Sequence, residues 1–94
     1  MLKKIGVWVL VLGLSFALFT GCAAKYRKMF PDYEARLNRL KGLGGEQKAP
    51  YETAKAENWL KVFKHEAGEN DEKGAQLAME KLDYYLEQGM MKIP

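Results

Sequence analysis

The chain has 94 residues, with 15 basic and 12 acidic side chains and one cysteine. That length makes one small domain at most, the lone cysteine excludes an internal disulfide, and the single histidine, His65, excludes a usual zinc site. Without residues 1–21 the remainder carries 13 basic and 12 acidic groups, too even a balance for a broad nucleic-acid footprint.

The amino-terminal segment opens with Lys3 and Lys4, continues through the uncharged stretch Ile5 to Thr20, and ends in small residues, Gly21, Cys22, Ala23 and Ala24. A charged start, an apolar middle and a small-residue end are the parts of a secretory signal. "FTGC", residues 19–22, resembles the bacterial lipobox, in which a small residue precedes the cysteine that becomes the mature amino terminus. Gly21 and Cys22 carry the match, Thr20 is compatible with it, and Phe19 stands where leucine is usual. The resemblance implies cleavage between Gly21 and Cys22 and a thioether-linked diacylglycerol on Cys22, with a third acyl chain on its amino group in many bacteria. Each buried methylene contributes ~0.8 kcal/mol, so two or three chains hold a protein on a membrane where one does so marginally. That covalent lipid is the only non-protein group expected, with no diffusible cofactor and no metal. Two other readings stay open: cleavage after Ala24 by the general signal peptidase, and an uncleaved membrane helix over residues 5–24. Ala23 is not the aspartate that often retains lipoproteins in the inner membrane. The resemblance therefore implies the outer membrane, facing the periplasm, with the inner membrane as the alternative.

Residues 22–30 read as the lipidated cysteine and a basic tether. Lys25, Arg27 and Lys28 suit contact with anionic headgroups, on the order of 1 kcal/mol per basic residue, or plain solvation. Residues 31–94 read as a small helical domain. Pro31 suits a first helical turn, with Asp32 and Glu34 at the positive end. Tyr33, Leu37 and Leu40 form one apolar stripe, and Gly42, Gly44 and Gly45 end the helix. Pro50 opens a second helix, in which Ala56, Leu60, Phe63 and Ala67 line up and Trp59 flanks them; Gly68 closes it. Asn70 or Asp71 caps a third helix from about Asp71 to Gln88, stopped by Gly89. Its main stripe is Ala75, Ala78, Met79, Leu82 and Leu86, with Tyr85 at the edge. Leu77 and Tyr84 form a second stripe that suits the first helix or a partner. The tail "MMKIP" is too short to fold alone. These elements predict an all-α fold: an antiparallel helical hairpin with a short preceding helix.

Residues 49–85 open with "APYETAKAENWL". Ala49, Pro50, Tyr51, Glu52, Lys55, Ala56, Glu57 and Leu60, with Trp59 in an aromatic position, resemble a segment of small bacterial lipoproteins that carry an alanine-rich helical hairpin of unknown function. Some of those proteins are fused to OmpA-like peptidoglycan-binding domains. No such domain follows here, so the resemblance implies an envelope location and a hairpin, not peptidoglycan binding.

Serine is absent after Ser15, the sole threonine beyond the signal is Thr53, and the one thiol is expected to be acylated. Nucleophilic triads therefore lack a nucleophile, and no catalytic residue is expected. His65 falls off the apolar stripe, and the acids Glu69, Asp71 and Glu72 occupy a polar turn that offers no burial to shift their pKa values. Residues 25–48 are net basic and residues 49–94 net acidic. The expectation is a non-enzymatic envelope lipoprotein that presents Tyr51, Trp59, Leu77 and Tyr84 to a protein partner, since aromatic side chains often dominate interfaces. Two alternatives are self-association through the alanine-rich faces and binding of an anionic envelope polymer through Lys25, Arg27, Lys28, Arg36, Arg39 and Lys41.

Overall fold

Pro31 and Asp32 start a helix where the sequence places them, and Arg39 and Lys41 complement its carboxyl end. The computed structural model describes residues 24–94 and resolves this helix as α1, Phe30–Gly42, followed by α2, Gly45–Lys48, α3, Pro50–Gly68, and α4, Glu72–Met91. The fold is the expected all-α hairpin with a short preceding helix, and no strand occurs among the described residues. The expected signal segment and the expected cleavage and lipidation site at Gly21 and Cys22 lie outside the described residues.

The hairpin is α3 against α4. All four residues of the expected α3 stripe are buried, as are Ala75, Ala78, Leu82 and Leu86 of α4, while Met79 is half-buried at the margin. Ala56, Ala67, Ala75 and Ala78 are at most 1% exposed, so their small side chains are spent on bringing the two helices together. They are not a surface on which copies of the chain meet, as the self-association alternative requires.

The turn between the helices is built by Asn70 and Asp71. Gly68 is the last residue of α3 but does not make the reversal; Asn70 takes the left-handed conformation (φ 59°), which a short polar side chain tolerates. The Asp71 carboxylate accepts the Gly74 N–H at 2.9 Å and caps α4.

Gly89 does not stop α4, which runs on to Met91. The glycine is buried where α4 meets α1, and a Cβ there would come within 2.9 Å of Leu40 Cδ2. Its role is close approach between helices. The one-turn α2 was not expected. Gly44 provides the break before it, in the left-handed region (φ 91°). Gly45 then packs so tightly that a Cβ would lie 2.8 Å from both Leu40 Cγ and the Leu40 carbonyl oxygen.

The packed region begins earlier than Pro31. Residues 24–27 form a helical turn ahead of α1, and Tyr26 is 4% exposed. Tyr26, Phe30 and Tyr33 surround Phe63 edge-on, with ring centroids 6.0, 5.2 and 5.5 Å away. Part of the expected tether is therefore core: Tyr26 and Phe30 continue the stripe of Tyr33, Leu37 and Leu40 backwards through Pro31. That proline sits in the first turn, where its missing N–H costs nothing. α1 runs alongside the hairpin from Phe63 at one end to Gly89 at the other.

Candidate functional site

The helical bundle has two distinct ends. The chain enters beside the α3–α4 turn, where Lys25 Nζ lies 3.2 Å from Glu72 Oε1. Arg27 donates to the Ala67 carbonyl at 3.4 Å and to Asn70 Oδ1 at 3.3 Å. α3 is 19 residues long, so Pro50 stands about 27 Å from Gly68 along the helix at about 1.5 Å per residue. That far end gathers the start of α3, the end of α4, the end of α1 and all of α2.

Exposed large apolar side chains concentrate at the far end. Leu43, Tyr51, Tyr84 and Met91 lie there, whereas Met29 is near chain entry and Leu77 is in the first third of α4. Tyr51 and Tyr84 are 59% and 54% exposed. Tyr85 joins them: its ring is edge-on to Tyr51 at 6.1 Å and to Tyr84 at 5.1 Å. The neighbouring Tyr51 hydroxyl, and after it burial, push the Tyr85 phenol above its ordinary value. Lys55 Nζ sits 5.6 Å from the Tyr51 ring centroid, within cation–π range.

The structure thus brings Tyr51 and Tyr84 together and separates the other two residues singled out from the sequence. Leu77 remains exposed two turns from Tyr84 on the outward face of α4, and α1 does not cover that stripe. Trp59 is half-buried against the core and belongs mainly to packing. Sequence reasoning missed Tyr85, which falls at the edge of the α4 stripe, and its contact with Tyr51 arises only when α3 and α4 are paired.

A groove of about 420 Å³ opens on the same end, between α1 and α4. Leu86, Met90 and Met91 supply its apolar lining; Arg36, Arg39 and Glu87 supply charge. The spacing of Leu86 and Met90 is helical, but the expected stop at Gly89 put Met90 in an unstructured tail. The tail is held further by Lys92, which pairs with Glu52, and by Ile93, which packs on the core. Lys92, and after it the Glu52 backbone N–H, hold the Glu52 carboxyl below the usual carboxylate range. Glu52 Oε2 and the neighbouring Thr53 Oγ1 are buried without a hydrogen-bond partner among the described residues.

Most of the basic residues proposed for anionic contact are engaged within the chain. Arg36 Nη1 meets Asp83 Oδ1 at 2.8 Å, Lys41 pairs with Glu57, and Lys25 and Arg27 hold the α3–α4 turn. Asp83 also accepts the Tyr33 hydroxyl at 3.0 Å. Burial and that hydrogen bond push the Tyr33 phenol up to about 12. Lys28 and Arg39 make no ion pair among the described residues.

Comparison with protein-family models, curated proteins and solved structures finds no match to this chain. The geometry therefore stands on its own chemistry. His65 is exposed, 3.3 Å from Glu69, and does not line the groove between α1 and α4. No helix among the described residues is long and apolar enough to cross a membrane. What the arrangement offers is a small rigid body with exposed aromatic and methionine side chains at one end.

Proposed function

We propose that the chain is a lipid-anchored protein of the bacterial cell envelope. It is held by acyl chains on Cys22, most simply in the outer membrane facing the periplasm. Its helical domain is a non-enzymatic interaction module that docks a protein partner on the far end of the bundle. The observation that carries the second half of this reading is the gathering of Tyr51, Tyr84, Tyr85 and Met91 at the end opposite chain entry. Aromatic rings and methionines offer large contact area at low entropic cost and adapt to a partner surface. The sequence "FTGC" after an uncharged apolar stretch supports the anchor.

Two measurements on protein isolated from its native membranes test this. Intact mass distinguishes a chain beginning at an acylated Cys22 from one beginning at Lys25 without lipid, and the second result rejects the anchor. Crosslinking in the native membrane should trap a distinct protein, and a Tyr51→Ala, Tyr84→Ala double variant with unchanged circular dichroism should lose it. If only copies of this chain crosslink, the partner-docking role is wrong and a structural, self-associating role replaces it.

A further inference from the structure

We infer that the domain meets the membrane on its α3–α4 turn, so that the lipid surface lies against residues 25–28 and 69–73 and the far end is held out into the aqueous space. This rests on the anchoring reading for Cys22 and specifies how the anchored body is oriented.

The first argument is reach. Lys25 is three residues from Cys22, and extended chain spans at most about 3.6 Å per residue, so the two Cα atoms are within about 11 Å of each other. The second is rigidity at the point of entry. Tyr26 is buried against Phe63, and Lys25 and Arg27 bond directly to Glu72, Asn70 and the Ala67 carbonyl. Little slack remains between the acylated cysteine and the turn. The far end stands about 27 Å further along α3.

Charge is the third argument. The chain-entry segment and the turn together carry Lys25, Arg27, Lys28 and Lys73 with Glu66, Glu69, Asp71 and Glu72, four of each sign, so the acidic turn is balanced where it approaches anionic headgroups. Lys28 is exposed and makes no ion pair among the described residues, which leaves it for a phosphate. The side of the bundle is less suited to a lipid surface. Along the outward face of α4, Glu80 and Glu87 share the surface with Leu77, Lys81, Tyr84 and Met91, so that face carries no net positive charge to draw it onto anionic lipid.

The test uses the full lipidated chain. Its one native thiol is acylated, so an introduced cysteine is the sole site for a thiol-reactive fluorophore. Glu69→Cys and Met91→Cys variants, each labelled, are reconstituted in phosphatidylcholine–phosphatidylglycerol vesicles that carry an acceptor dye on a headgroup. Energy transfer should be about twofold or more higher from position 69 than from position 91, given a ~27 Å difference in height. Lys73→Cys and Gln47→Cys repeat the comparison with a second pair, guarding against a label that disturbs the fold. Equal transfer from the two ends, or higher transfer from positions 91 and 47, overturns the orientation while the lipid on Cys22 stands. An intact mass without lipid overturns the anchor and this orientation together.

Discussion

At the chain-entry end, Phe63 is fully buried under three aromatic rings, whereas at the far end Tyr51 and Tyr84 leave more than half of their surface in water. Both ends use edge-on aromatic contacts, and the difference lies in how many elements converge. Around Phe63 the chain supplies the turn at 24–27, α1 and α3 together. Around Tyr85 the rings of Tyr51 on α3 and Tyr84 on α4 contribute, and both of those rings stay more than half exposed. Aromatic residues stabilise the fold where three elements meet and remain available for contact where two do.

Truncating one ring from each end breaks this comparison open most widely. Phe63→Ala removes the ring that Tyr26, Phe30 and Tyr33 all touch, and should cost ~3–5 kcal/mol in urea unfolding. Tyr84→Ala, with its ring mostly in solvent, should stay within about 0.5 kcal/mol of the parent. Equal losses at the two positions would mean that the far end is core as well, leaving no surface set aside for a partner.

The same contrast explains what the sequence made legible. The apolar stripes of α3 and α4 were readable because each is set by helical period alone, and their small residues fit a close-packed hairpin. Tyr26 and Phe30 continue the α1 stripe at spacings of four and three, but Pro31 read as a boundary concealed them. A proline in the first helical turn does not interrupt an apolar face. Gly89 was misread for a related reason. Glycine marks helix ends and close approaches alike, and only the position of Leu40 across the interface decides between them. The groove of Arg36, Arg39, Leu86 and Met90 depends on how α1 crosses α4, information that no single segment carries.

A second experiment sharpens the comparison through pH. Tyr33 links the aromatic cluster to Asp83 on α4, and its phenol is pushed up to about 12, first by burial and then by that carboxylate. The unfolded chain loses this proton near 10, its ordinary value, and the folded chain only near 12. Between those values the unfolded state binds fewer protons, so stability falls as pH rises. Below about 10 the contribution is complete. Unfolding midpoints followed from pH 9 to 12 (roughly the window in which tyrosines titrate) should fall more steeply in the parent than in Tyr33→Phe. Parallel curves would show that the Tyr33–Asp83 contact carries no proton linkage.

The smallest expected effect separates packing from charge at the chain-entry end. Lys25 and Glu72 form an ion pair whose side chains are 58% and 49% exposed. The Glu72 carboxylate raises the Lys25 pKa, but exposed pairs are screened by water and salt and lose side-chain entropy on pairing. Tyr26, one residue along, is instead buried against Phe63. A double-mutant cycle of Lys25→Ala and Glu72→Ala should therefore show coupling close to the error of measurement, and less still in high salt. Tyr26→Ala should destabilise the fold clearly at any salt concentration, since its contribution is buried apolar area. Strong, salt-sensitive coupling between Lys25 and Glu72, together with a mild Tyr26→Ala, would reverse the assignment. The chain-entry segment would then be held to its turn electrostatically, and ionic strength would govern how firmly it is seated.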